Sequence, residues 1–190
     1  IIGEEGNGKS TLLKCIVDPQ LVESYCEVQG EIRSKSERIG YLAQELERKH
    51  VEKTVYEYFC ESEAFSLATP SQLHEIAHCL GYDVEMYYQT QTMSTLSGGE
   101  KIKYQLAAIL LEQPSILLLD EPSNDLDIST LAWLEKFIKD SRIPIIYIAH
   151  DETLLANTAN CIVHLELVKR KTEARHTIMH IGYDAYKELR

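Results

Sequence analysis

One stretch, from Pro114 to Asp127, limits what the whole chain can become. It reads Pro-Ser-Ile-Leu-Leu-Leu-Asp-Glu-Pro-Ser-Asn-Asp-Leu-Asp. Ile116 to Leu119 form a short apolar run, with Pro114 before it and two acids and Pro122 after it. A run this short, bounded by breakers, predicts a fully buried strand of a parallel sheet rather than a helix. Such a strand carries Asp120 and Glu121 to the carboxyl edge, where open α/β sheets bind ligands. Two adjacent carboxylates there are costly unless a cation or a proton-transfer task holds them. Mg²⁺ fits, because it takes few carboxylates plus substrate phosphates. The strand therefore calls for a phosphate-binding loop elsewhere in the chain.

That loop lies at residues 3–10. Gly3-Glu4-Glu5-Gly6-Asn7-Gly8-Lys9-Ser10 matches G-x-x-x-x-G-K-[ST], the P-loop. The backbone N–H groups of Gly3, Gly6, Asn7 and Gly8 can cradle phosphates, because glycines allow the curved conformation and the close approach. Lys9 reaches the β- and γ-phosphates, and the Ser10 hydroxyl can ligate Mg²⁺. Ile1 and Ile2 read as the end of a strand. Residues 11–17, from Thr11, read as a short helix whose N-terminus favours the same anion. Glu4 and Glu5 must point away from it.

Along the rest of the chain, residues 18–37 are polar and irregular, with a short strand expected at 30–32. A strand over 38–43 ends at Gln44, and a charged loop covers 45–53. Helices are expected over 54–62, 70–80 and 84–88, broken near Pro70 and Gly81. Ser97 caps a further helix running to residue 111. Residues 129–139 form an amphipathic helix, with Leu131, Leu134, Phe137 and Ile138 on one face. A buried strand over 144–149 ends at His150. A helix over 152–157, strands over 161–167 and 176–181, and a helix from Asp184 follow. This order predicts an α/β fold, a mostly parallel sheet flanked by helices with right-handed crossovers. Residues 1–44 and 96–190 form the core, and 45–95, without any strand pattern, an inserted helical subdomain.

The chain has 190 residues, enough for one domain with a sizeable core. No apolar run approaches the length of a membrane span. The net charge of −11 argues against broad non-specific nucleic-acid binding, and the basic run at Lys169, Arg170 and Lys171 reads as a solvated turn. Five scattered cysteines without a CxxC spacing point to buried thiols in a reducing cytosol, so a cytoplasmic setting is expected.

Six motifs now stand in order: Gly3 to Ser10, Gln44, Leu96-Ser97-Gly98-Gly99-Glu100, Ile116 to Glu121, Ser123 to Asp127, and His150. Together they resemble the P-loop, Q-loop, signature, Walker B, D-loop and H-loop of the ATP-binding-cassette (ABC) ATPases. The resemblance implies an ATPase that uses ATP and Mg²⁺. Ser10, Gln44 and Asp120 would place the Mg²⁺. Glu121 would act as general base or orient the attacking water, and His150 would contact the γ-phosphate. Ser97, Gly98 and Gly99 would meet the γ-phosphate of ATP held by a second cassette, in the same chain or in a homodimer. The LSGGEK sequence, Gln105-Leu106-Ala107 and Pro122-Ser123-Asn124-Asp125-Leu126-Asp127 resemble most the ABC-F group, tandem-cassette proteins that act on ribosomes or confer antibiotic resistance. The implied partner is then the ribosome. The alternative is the nucleotide-binding subunit of a membrane transporter, whose partner is a permease. The interval from Gln44 to Ser97 leaves no room for the long arm of many ABC-F first cassettes, so an arm-poor member or a second cassette is implied. The tail from Ile181 resembles the segment leading into the ABC-F interdomain linker, which points to a first cassette.

His74-Glu75-Ile76-Ala77-His78 matches H-E-x-x-H on a predicted helix. It lacks an evident third ligand, and a surface coincidence without zinc is the expected reading. Tyr56, Tyr58, Phe59, Tyr87, Tyr88 and Trp133 are expected to pack rather than to stack on bases.

Overall fold

A computed structural model describes residues 1–33, 37–168 and 173–189. The strands are β1 (Ile39–Leu42), β2 (Ile116–Asp120), β3 (Ile145–Ile148), β4 (Ile162–Val168) and β5 (Glu173–Met179). The α-helices are α1 (Lys9–Val17), α2 (Val55–Cys60), α3 (Glu63–Leu67), α4 (Pro70–Cys79), α5 (Gly98–Leu111), α6 (Ile128–Asp140), α7 (Glu152–Thr158) and α8 (Tyr183–Glu188).

β2 is the central strand of a parallel sheet ordered β1-β2-β3. It is buried on both faces, which is why its sequence runs apolar without alternation. Leu117 and Leu119 face a large cluster that also holds Leu106, Leu134 and Leu155. Leu118 faces the other way, with Ile148 and with Leu13 of α1. The register pairs Tyr41 with Leu118 and Asp120 with Ile148. Ile1 and Ile2 lie between β3 and β4. The Ile2 N–H donates to the Val163 carbonyl at 2.9 Å, and the Ile1 nitrogen to the Tyr147 carbonyl at 2.6 Å. The loops after Ile2, Leu42, Asp120 and Ile148 therefore open on one edge.

Between β1 and α5 the described chain has helices and 3-10 turns, with one isolated bridge from Thr54 to Thr92. Thr54 and Thr69 both form capping boxes, with Glu57 and Gln72, and these set the starts of α2 and α4. Phe59 and Tyr87 are fully buried, with rings 4.8 Å apart and edge to face. They belong to the same contiguous cluster as Leu117 and Leu119. Tyr56 and Tyr88 stay about half exposed. Trp133 stacks on Phe137 at 5.5 Å, and Lys103 of α5 sits over both Trp133 and Tyr82.

Several expectations need correction. Residues 30–32 are not a strand: Gly30 and Glu31 are exposed, Ile32 is half-buried, and they pair with no strand among the described residues. Val84–Tyr88 is helical as expected, in the 3-10 form. The short helix α3 was not expected; Ser62 caps it by accepting from the Phe65 N–H. β5 starts at Glu173 and pairs antiparallel with β4, because the interval between the two strands is too short for a parallel crossover. The thiols are not buried: Cys26, Cys60 and Cys79 are exposed, and Cys15 and Cys161 are half-buried. The run Lys169 to Lys171 lies outside the described residues.

Candidate active site

The phosphate loop curves because Gly6 and Gly8 both adopt φ of +80°, a left-handed conformation that other residues resist. Gly8 then caps α1, which begins two residues earlier than expected, at Lys9. Lys9 is only 6% exposed. Its Nζ donates to the carbonyls of Gly3 (2.8 Å) and Glu4 (2.9 Å), so the ammonium lies across the loop. Ser10 and Thr11 occupy the first turn of α1. Glu4 and Glu5 are exposed, as a phosphate site requires. Behind the loop stands β4. Gly3 leaves no room for a Cβ against the Leu165 carbonyl, and Asn7 Nδ2 donates to that same oxygen at 2.9 Å.

Asp120 and Glu121 separate into two clusters. Asp120, at 2% exposure, faces α1. Its Oδ1 accepts from Ser10 Oγ at 2.8 Å and its Oδ2 from Tyr41 O–H at 3.2 Å. Burial, with the Asp120 carboxylate beside it, pushes the Tyr41 hydroxyl far above its usual pKa, so it stays a donor. Among the described residues this buried carboxylate has two hydroxyl partners and no ion pair. The hydroxyl and carboxylate oxygens are the hard donors that Mg²⁺ takes alongside phosphate oxygens. The residues therefore fit the ion.

Glu121 leaves the strand at φ +51° and turns away from Asp120. Its Oε2 accepts from Gln44 Nε2 at 3.3 Å and from Asn124 Nδ2 at 2.6 Å. Its Oε1 faces His150 Nε2 at 3.5 Å. Gln44, Glu121 and His150, from the ends of three neighbouring strands, thus meet at one point. Gln44 turns its amide nitrogen to Glu121, which leaves its oxygen for another partner. A cavity of about 470 Å³ opens beside them, lined by Gln44, Asp120, Glu121, Asn124 and, from the opposite wall, Gly98 and Lys101.

The predicted Ser97, Gly98 and Gly99 do not join the phosphate loop. Ser97 caps α5 through a capping box with Glu100. A Cβ on Gly98 would lie 2.8 Å from the Asp125 carbonyl oxygen, and one on Gly99 2.6 Å from Thr130 Oγ1. Both glycines are therefore required for close packing against residues 125–130. Two residues of the site escaped sequence reasoning. Tyr41 could be found only by knowing that β1 adjoins β2, whereas Asn124, three residues beyond Glu121 across a proline, carried a turn signal. His74 and His78 lie on the exposed face of α4, rings 6.3 Å apart. Among the described residues, no group of three His, Cys, Asp or Glu could hold a metal ion.

A phosphate loop, a buried aspartate beside its serine and a glutamate at the end of the same strand define a P-loop ATPase. A family model described as ABC transporter matches residues 1–124. The chain belongs to the ABC transporter family and carries its ATPase domain. The ATP-binding protein Uup of Buchnera aphidicola is 34% identical over 172 residues, covering 87% of this chain and 27% of Uup. The energy-dependent translational throttle protein EttA of Escherichia coli K12 is 31% identical over 202 residues, covering 87% of this chain and 36% of EttA. Both are ABC-F proteins, the group that the motifs resemble. A solved structure titled RNase-L Inhibitor superposes with a TM-score of 0.70 at 24% identity, over 99% of this chain and 36% of that one, a likeness of fold. The chain spans well under half the length of these relatives. Among the described residues, no helix is long and apolar enough to cross a membrane.

Proposed function

We propose that this chain binds Mg-ATP and hydrolyses it as one of two facing cassettes in an ABC-F protein that works on the ribosome. The observation that carries this reading is the separation of Asp120 from Glu121 at one sheet edge. One carboxylate meets Ser10 and Tyr41, and the other meets Gln44, Asn124 and His150. Lys9 and the N–H groups of the loop and α1 hold the β- and γ-phosphates. Ser10, Asp120 and the Gln44 amide oxygen would hold Mg²⁺, which would supply neutralisation of charge on the phosphate oxygens. Glu121 takes the proton of the attacking water. The water oxygen bonds to the γ-phosphorus as the bond to the bridging oxygen breaks, and ADP leaves. His150 donates to the γ-phosphate. Phosphoryl transfer asks for positioning and charge stabilisation more than for covalent chemistry.

Gly98 and Gly99 pack on the chain's own Asp125 and Thr130, whereas Ser97 is exposed at the N-cap of α5, and this exposed end serves the nucleotide of a second cassette. Residues 45–95 act as the helical subdomain that carries this signature end of α5. The relatives named for translation support the ribosome as partner, in the cytoplasm. The test is sedimentation of the full-length protein with Glu121→Gln in the presence of ATP. Co-sedimentation with ribosomes is the expected result. Binding only to a membrane permease would overturn the ribosomal reading, and hydrolysis by this variant at the unsubstituted rate would overturn the catalytic one.

A further inference from the structure

We propose that Asn124 is a positioning residue for hydrolysis, its side-chain amide fixing the Glu121 carboxylate so that Oε1 is the oxygen turned to the attacking water. The proposal rests on the reading of Glu121 as the group that takes the water's proton. A glutamate has three side-chain torsions, and nothing in the strand alone fixes its carboxylate. Glu121 departs from strand geometry at φ +51°, so its direction depends on what holds it from outside. The two amide donors both bind Oε2, and the Asn124 bond, at 2.6 Å, is far shorter than the 3.3 Å bond from Gln44. Hydrogen bonds to an ionised acceptor are the strong class, and their strength falls with length. Asn124 is therefore the principal tether. Oε2 is engaged by two donors, and Oε1 is the oxygen that faces His150 Nε2, 3.5 Å away.

Asn124 is itself held. Its backbone N–H donates to the Glu121 carbonyl at 3.2 Å, which closes a turn over a buried Pro122. The next residue, Asp125, is left-handed at φ +57°, and its carbonyl rests on Gly98 of α5. The turn is pinned at the strand end, beneath the proline and against the signature helix. A residue serving only as a turn former would need the backbone bond alone. The side-chain bond to the carboxylate is the additional feature, and it reaches the one oxygen pair whose orientation hydrolysis depends on.

The test compares Asn124→Ala and Asn124→Asp with the unsubstituted full-length protein. Loss of the tether lowers kcat by about tenfold to a hundredfold, the scale expected when a reacting group is misplaced by about 1 Å. ATP affinity by calorimetry and the melting temperature stay within experimental scatter. Asn124→Asp falls below Asn124→Ala, because it sets a second carboxylate against Glu121 instead of a donor. In single-turnover measurements, adding Asn124→Ala to Glu121→Gln brings no further loss, since Asn124 acts only through that carboxylate. An unchanged kcat, the reverse order of Ala and Asp, a joint fall of affinity and melting temperature, or an additive loss in the double variant would each overturn the proposal. Failure of the underlying reading looks different, because Glu121→Gln alone would then hydrolyse ATP normally.

Discussion

Ser10 Oγ donates to Asp120 Oδ1 at 2.8 Å, joining the first turn of α1 to the end of β2 across 110 positions of chain. Both side chains stand on the same face of the sheet as Tyr41, and Leu13 and Leu118 seal the floor beneath them. The pair fixes the two protein oxygens that would hold Mg²⁺ before any ligand arrives. Asp120→Asn keeps the shape but removes the charge. Mg-dependent ATP binding should weaken by at least tenfold while the protein stays folded. Calorimetry with and without Mg²⁺ measures the difference, and an unchanged Mg²⁺ dependence would remove Asp120 from the site.

Lys9 is the buried cation of the phosphate loop. Lys9→Ala deletes the main positive charge near the β- and γ-phosphates and should abolish measurable ATP binding in the intact protein. Equal affinities of the variant and the parent protein in a calorimeter would refute the assignment of the loop.

Glu121→Gln retains the length and the acceptor oxygen that Gln44 and Asn124 use. Binding should therefore survive while hydrolysis falls by about 10²–10⁴-fold, the usual cost of losing a general base. ATP retained after gel filtration, with little phosphate released, is the expected pattern.

Gly98→Ala places a methyl 2.8 Å from the Asp125 carbonyl oxygen, and backbone on both sides cannot yield without moving α5 or the turn. A loss of stability of about 1–3 kcal/mol is expected for such overpacking. Chemical denaturation reads it directly. Gly182→Ala serves as the control, because its nearest atom, the Ala159 carbonyl oxygen, is 3.6 Å away.

Phe59→Ala empties the centre of the aromatic group formed with Phe65, Tyr87 and Tyr104. The expected cost is about 3–5 kcal/mol. Because Phe59 shares its cluster with Leu117 and Leu119, near-ultraviolet circular dichroism should show one transition moved to lower temperature rather than a separate early melt.

The sequence discloses this site unevenly, for physical reasons. Ile116 to Leu119 are apolar at every position because both faces of β2 are covered, so burial and the exit of Asp120 could be read directly. The Gly6 and Gly8 positions announce their positive φ by being glycine. Tyr41 looks like any strand tyrosine, because its meeting with Asp120 depends on which strand lies beside β2, and no local pattern encodes that order. Val84–Tyr88 carries helical composition and is helical, in the 3-10 form. The antiparallel pairing of β5 with β4 was legible in principle from the short interval after Val168, a length that excludes a crossover.

The phosphate loop leans on the Leu165 carbonyl through Gly3 and Asn7, and Ile2 is bonded on both sides of its peptide to Val163 and Leu165. These neighbours are synthesised more than 150 positions after the loop. Contacts this distant in sequence close slowly, since the intervening chain must first give up its freedom. The surroundings of the phosphate loop are therefore among the last parts of the molecule to be completed. As the chain emerges during translation, β1, α5 and β2 can associate early, whereas the loop gains its outer wall only once β4 has emerged.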